Sequence, residues 1–272
     1  MDLQTQLLKI NGLELFVSSL GEGPAVLLLH GFPDSHQVWR HQLTALADAG
    51  FRAFAPDLRG YGLSSAPADT AAYHLDHLCA DVLGILDALG IARAHLLGHD
   101  WGAAIAWQIA IRAPERVHSL VALSVGHPRA FSRAGVPQAL RSSYMALFLM
   151  RGVAETVIPA FDWFFMRQAT DNVELQAQWR AGLSRPGRLT AALNYYRANA
   201  RPGALHQGRV KPPVLGLWST GDGFLTERQM LLSREEVDGG FDYVRIEHAD
   251  HWLQLAAPDQ VNQALLDFLK RV

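Results

Sequence analysis

Ala94-His95-Leu96-Leu97-Gly98-His99-Asp100-Trp101-Gly102 is the stretch on which the reading of this chain turns. Ala94–Leu97 is a short buried-strand run, and Ala103–Ile111, ending before Pro114, reads as a helix. Between them Gly98-His99-Asp100-Trp101-Gly102 has the form G-x-Nu-x-G, the sharp strand-to-helix turn that presents a nucleophile. Aspartate stands where serine is usual. Small residues two places before and after it let the strand and helix backbones pass closely. The helix that follows aims free N–H groups and its positive dipole end at the same spot, which helps keep a carboxylate ionised. The alternative role for Asp100, a simple helix cap, does not account for both glycines or for the buried strand before them.

Aspartate in this place carries a mechanism. Serine attacking a saturated carbon would form an ether, which has no easy exit. A carboxylate attacking the same carbon forms an ester, which water activated by a general base can hydrolyse. The turn therefore points to substitution at saturated carbon, as in epoxide opening or carbon–halogen cleavage, and away from ordinary esterase work.

Outward from this turn, strand-like and helix-like segments alternate. Leu13–Val17, Ala25–Leu29, Arg52–Ala55 and Val117–Leu123 read as strands, and Leu75–Leu89 as a helix stopped at Gly90. Short continuous apolar runs belong to strands buried on both faces, so the alternation predicts a mostly parallel sheet flanked by helices. From about residue 127 to 210 no buried strand is legible, and aromatic residues concentrate there; this reads as a helical insertion. The alternation resumes with Val214–Trp218, a helix, Tyr243–Ile246 and a last helix from about Pro258 to Leu269. The expected division is 1–126 and 211–272 for the two parts of an α/β core, with 127–210 as a helical cap.

Two partners for Asp100 follow in the chain order nucleophile, acid, histidine. Asp222 lies in Ser219-Thr220-Gly221-Asp222-Gly223-Phe224, after one strand, and His251 lies in Asp250-His251-Trp252, after the next. His251 would activate water, and Asp222 would hold its tautomer and stabilise the imidazolium. Asp222 beside glycines also fits a plain turn, and His251 a surface loop. His248 and His251 lack a further ligand set, so no metal site is expected. His30-Gly31-Phe32-Pro33 ends the strand Ala25–Leu29, where the Phe32 N–H, together with the Trp101 N–H, would form an oxyanion hole.

With these motifs in hand, the chain resembles the epoxide hydrolases of the α/β-hydrolase fold over nearly its whole length, from about Leu13 onward. His30-Gly31-Phe32-Pro33, Gly98-His99-Asp100-Trp101-Gly102, Asp222-Gly223-Phe224 and His251-Trp252 match their motifs. The resemblance implies a cap inserted after the sixth core strand, and two cap tyrosines that donate hydrogen bonds to the epoxide oxygen. Tyr144, in Tyr144-Met145-Ala146-Leu147-Phe148 with Gly152-Val153-Ala154-Glu155 after it, is similar to the first. Tyr196, in Leu193-Asn194-Tyr195-Tyr196-Arg197, is similar to the second. The departing alkoxide is a strong base and needs acidic O–H donors. Packing within the cap is the competing role for both rings. Phe32, Trp101 and Tyr195 are the expected substrate contacts. Leu149 and Gly126-His127-Pro128 depart from the family pattern and bear on substrate range.

The expected activity is conversion of an epoxide to a vicinal diol through an alkyl ester on Asp100. The nearest alternative is a haloalkane or haloacid dehalogenase with the same nucleophile. Trp101 suits either, but Phe32 stands where many haloalkane dehalogenases supply asparagine, and Trp101 where fluoroacetate dehalogenases carry arginine. From a different class, a non-catalytic binding protein on the same fold would not need an intact nucleophile, acid and base.

Composition is in keeping with this. Hydrophobic residues at 49% and charged residues at 18% suit a globular enzyme, and a net charge of -2 gives no field to draw nucleic acid or an anionic membrane. The single cysteine, Cys79, rules out an intramolecular disulfide and reads as a buried apolar residue. Residues 1–6 lack a signal-peptide pattern, and the apolar run Met145–Met150 is far below the roughly 20 residues a membrane span needs. The expectation is a cytoplasmic enzyme without cofactor, with a small apolar epoxide as its partner and a homodimer left open.

Overall fold

The computed structural model describes residues 2–201 and 205–272. Among the described residues eight strands form one sheet: β1 Gln4–Ile10, β2 Leu13–Leu20, β3 Ala25–Leu29, β4 Arg52–Pro56, β5 Ala94–His99, β6 Val117–Leu123, β7 Val214–Ser219 and β8 Phe241–Ile246. Their order across the sheet is β1-β2-β4-β3-β5-β6-β7-β8. β1 and β2 pair antiparallel, as do β2 and β4, and every other pair is parallel. β5 and β7 are buried along their whole length. Central parallel strands covered on both faces carry mostly apolar side chains, which is why their apolar stretches, Leu96-Leu97 in β5 and Val214–Trp218 in β7, were legible in the sequence.

The sequence reading opens the sheet at Leu13, whereas the structure adds β1 before it. β1 is an edge strand with four consecutive exposed residues at its start, so it carries no clean alternation. Its signal was the turn instead. Asn11 and Gly12 have φ of 52° and 77°, the positive pair that a two-residue hairpin turn requires.

The helices cover the sheet in packed pairs: Arg40–Asp48 against Pro258–Leu269, and Leu75–Ala88 against Trp101–Arg112. Between β6 and β7 the described residues contain helices only, from Pro128–Ser132 to Arg188–Asn199. Residues 202–204, within the expected insertion, lie outside the described residues. The helix Pro128–Ser132 packs on the core helix Glu227–Leu232. The helix Arg188–Asn199 packs on the short turn of helix Thr70–Tyr73. Among the described residues no helix is long and apolar enough to cross a membrane.

This topology delivers the chemistry-bearing residues to one edge. The turns after β3, β5, β7 and β8 carry Phe32, Asp100, Asp222 and His251, and all four strands are parallel, so all four turns emerge at the carboxyl end of the sheet. That edge is where open α/β sheets bind ligands.

Candidate active site

Asp100 sits between β5 and the helix Trp101–Arg112 with φ 50° and ψ -121°. A non-glycine residue with positive φ is strained, and such strain persists only where its surroundings impose it. Here they do. A side-chain carbon at Gly98 would lie 2.6 Å from the Ala103 backbone nitrogen, and one at Gly102 would run into the Leu29 carbonyl. Strand and helix are too close for any other residue at either place.

The Asp100 carboxylate accepts the Phe32 backbone N–H at 2.7 Å, and the Trp101 backbone N–H also serves it. Burial pushes its pKa up, while the charge of His251 and these two N–H groups pull it back toward the ionised form. The two N–H groups expected to make an oxyanion hole thus converge on the candidate nucleophile.

His251 is buried. Its Nε2 stands 3.9 Å from Asp100 Oδ2, and its Nδ1 is 2.9 Å from Asp222 Oδ2. Burial opposes charge on the ring, but the facing Asp222 carboxylate outweighs it and, with Asp100, raises His251 to about 9. The other oxygen of Asp222 accepts the backbone N–H groups of Phe224 and Leu225 at 2.8 and 2.9 Å. Asp222 therefore cannot swing away from the imidazole. Its loop is tied down from the helices between β6 and β7 by Arg141, whose guanidinium donates to the carbonyls of Asp222 and Leu225.

Two cavities meet at Asp100. One, about 270 Å³, is walled by Phe148, Phe164, Phe165, Met166 and Trp252; the other, about 410 Å³, by Trp101, Val125, Phe131, Met145 and Leu205. Asp100, Tyr144, Tyr196 and Phe224 line both. Tyr196 is buried, with its ring edge-to-face on Trp101 and Phe148 at centroid distances of 5.2 and 4.9 Å. Tyr144 stacks edge-to-face on Phe148 and Phe224. Burial raises the pKa of both phenols, and the nearby negative charge of Asp100 adds to it, so both keep their protons. The helix that carries Tyr196 is anchored by Arg197, which forms a two-pronged pair with Glu155 at 2.6 and 3.0 Å and donates to the Phe148 carbonyl. That pair holds the Glu155 carboxyl down at about 2.

One expected contact needs correcting. Tyr195 lines neither cavity. It is fully buried, and its hydroxyl donates to the Arg59 carbonyl at 2.7 Å, beside Tyr61 and Tyr73. Adjacent residues on a helix point about 100° apart, so only one of Tyr195 and Tyr196 can face Asp100. The aromatic residues of the insertion also divide. Phe164 and Phe165 line a cavity, Phe161 is exposed, and Trp179 donates its indole N–H to Asp34.

Sequence reasoning missed three residues next to the site. His99 Nε2 and Ser124 Oγ both donate to the His251 carbonyl, at 2.9 and 3.1 Å, and so hold its backbone. Asp34 is buried and accepts the indoles of Trp179 and Trp252. His99 stands inside the elbow motif already quoted and Asp34 directly follows His30-Gly31-Phe32-Pro33, which was their only signal.

The family model described as the alpha/beta hydrolase fold matches residues 24–258. The AB hydrolase superfamily protein YfhM of Bacillus subtilis is 33% identical over 98% of both chains. Epoxide hydrolase A of Mycobacterium tuberculosis is 35% identical over 97% of this chain and 96% of its own. The crystal structure of Epoxide Hydrolase A from Mycobacterium thermoresistibile superposes with a TM-score of 0.86 at 32% identity, covering 99% of this chain and 98% of that one. These likenesses span the elbow, both partner loops and the insertion, and the chain belongs to the epoxide hydrolase family of the α/β-hydrolase fold.

Proposed function

We propose that this protein hydrolyses an epoxide to a vicinal diol through a covalent ester on Asp100. The observation that carries the reading is the arrangement around one carboxylate. Asp100, on a strained elbow, faces His251 Nε2 at 3.9 Å on one side and the cavity-lining tyrosines Tyr144 and Tyr196 on the other. An epoxide held by the two hydroxyls presents a carbon to Asp100. Asp100 Oδ2 attacks, the C–O bond of the ring breaks, and the developing alkoxide takes a proton from a tyrosine.

The ester is then hydrolysed. His251 takes a proton from water as the oxygen adds to the ester carbonyl, and Asp222 stabilises the imidazolium. The Phe32 and Trp101 N–H groups bind the oxyanion. Collapse releases the diol with the proton returned from His251, and the proton that the added water leaves on the Asp100 carboxyl passes to the tyrosinate, which restores both the carboxylate and the phenol. Loss of the Asp100 charge on ester formation removes one of the groups that raise His251, so the ring becomes a usable base when it is needed. The walls of both cavities are mostly apolar, which suits an apolar epoxide. The helices between β6 and β7 act in this reading as the cap that brings in the tyrosines.

The test is a side-by-side assay of wild type and Asp100→Ala on aryl and alkyl epoxides and haloalkanes, reading diol and halide together. Diol lost in the variant supports the reading. Halide release without diol would replace it with a dehalogenase, whose weakly basic leaving group does not need the two phenols.

A further inference from the structure

We propose that Gln138 and Thr170, both from the segment between β6 and β7, are positioning residues for ester hydrolysis, a role that rests on the reading of Asp100 as nucleophile and His251 as base. Gln138 holds the loop of Asp222, and Thr170 holds the loop of His251.

The place of these loops in the fold leaves them in need of such holds. β8 is the last strand of the sheet, so the turn that leaves it for His251 has a strand neighbour on one side alone. The core mainly ties the two loops to each other. The Gly221 N–H donates to the Ala249 carbonyl at 2.9 Å, and the Ser219 hydroxyl to the Asp250 carbonyl at 2.6 Å. Bonds of that kind let both loops shift together.

Asp250 closes a turn with His251 at its middle. Its Oδ1 accepts the Trp252 N–H at 2.9 Å, and its Oδ2 accepts the Thr170 hydroxyl at 2.6 Å. Thr170 is 6% exposed and is itself fixed. Its hydroxyl oxygen accepts the Asn172 N–H at 3.3 Å, and its carbonyl accepts the Gln176 side-chain amide at 2.6 Å. A hydroxyl donating to a carboxylate is a strong bond. Rotation of Asp250 would carry the turn, and the imidazole with it; Thr170 prevents that rotation.

Gln138 is 2% exposed on the helix Val136–Arg141. Its Oε1 accepts the Thr226 N–H at 2.8 Å and the Thr226 hydroxyl at 3.0 Å, and its Nε2 donates to the Phe224 carbonyl at 2.9 Å. All three bonds fall on the loop whose Phe224 and Leu225 N–H groups grip Asp222. The fourth runs from Nε2 to the Ser142 hydroxyl at 3.0 Å, two residues before Tyr144. The amide thus uses both donors and both lone pairs. Packing alone would be met by a methionine, without the cost of burying an amide. Ester hydrolysis needs the ester, a water and the imidazole aligned, and a shift of about 1 Å costs on the order of 10²-fold. Ester formation uses Asp100 and the tyrosines, none of which lies on these two loops.

The experiment is single-turnover rapid quench with styrene oxide, following the protein-bound ester by mass spectrometry. In Thr170→Val, ester formation should change by less than about twofold and ester decay should slow by about tenfold, so the adduct accumulates. Thr170→Ser, which keeps the hydroxyl, should restore decay. On an Asp250→Ala background Thr170→Val should slow decay no further, since the bond is already gone. Gln138→Met should slow decay by about tenfold, and formation by less, through Ser142 and Tyr144. Equal slowing of both steps in Thr170→Val, failure of Thr170→Ser to restore decay, or full additivity with Asp250→Ala would show a merely structural role and overturn the assignment of Thr170. Unchanged decay in Gln138→Met overturns that of Gln138. If Gln138→Met does not fold, Thr226→Val removes one of the same bonds from the loop side, and unchanged decay there does the same. No adduct even in His251→Gln overturns the nucleophile reading, and these roles with it.

Discussion

His251 Nε2 and Asp100 Oδ2 stand 3.9 Å apart, too far for a hydrogen bond, while Nδ1 of the same ring is locked onto Asp222 at 2.9 Å. In the proposed mechanism the base is therefore fixed by the acid and not by the nucleophile. The gap suits a water that must reach an ester on Asp100 and lose a proton to His251. Had the ring bonded Asp100 directly, it would have competed with the epoxide for the attacking lone pair.

Asp100→Ala should abolish turnover without lowering the unfolding midpoint at neutral pH. Burial raises the folded pKa of this carboxyl, so its ionised form costs stability above the unfolded pKa, and removing it relieves that cost. Thermal unfolding beside a diol assay checks both. Residual turnover above about one part in a thousand would count against covalent catalysis by Asp100.

His251→Gln should still open the epoxide and then stall. Intact-protein mass spectrometry should find an adduct of the full epoxide mass on the peptide containing Asp100. An unmodified protein after incubation with a substrate that wild type consumes would remove His251 from the second step.

Tyr144→Phe and Tyr196→Phe should each slow ester formation by about tenfold, and the double variant by about a thousandfold, since general-acid help is worth 10²–10⁴-fold. Rapid quench separates this step from hydrolysis, which should change little. Tyr195→Phe should leave opening unaffected, since its hydroxyl is committed to Arg59.

The raised His251 ties stability to pH. Its folded pKa, about 9, lies above the ordinary 6.5, so the stabilisation by Asp222 is fully present below 6.5 and is lost as pH rises through about 9. Asp222→Asn should therefore cost most stability at pH 6 and progressively less toward pH 10. Denaturant unfolding across that range is the measurement, and a gap independent of pH would mean that Asp222 acts through its backbone loop alone.

Arg197→Met should loosen the helix that carries Tyr196. It breaks a pair in which Arg197 is buried and Glu155 partly so. The cost should be about 2 kcal/mol, below that of a fully buried pair because Glu155 retains some solvent. For a chain of this size that is a fall in Tm of about 4–8 °C. A rise in KM should accompany it as Tyr196 loses its fixed position.

Local patterns in the sequence determined the sheet core, the elbow and the position of each partner loop. Continuous apolar runs such as Ala25–Leu29, the paired glycines around Asp100 and the turns that hold Asp222 and His251 are all encoded within a few residues, and physics of short range makes them readable. Tertiary structure decided the rest. Tyr195 and Tyr196 are the same residue type one place apart, and only the docking of their helix on the turn Thr70–Tyr73, and its tie through Arg197 to Glu155, turns Tyr196 to Asp100 and buries Tyr195 against Arg59. Asp34 could not be read as a neighbour of His251 either. Its partners Trp179 and Trp252 lie 145 and 218 residues away along the chain, and its burial between them follows from long-range packing that no local pattern records.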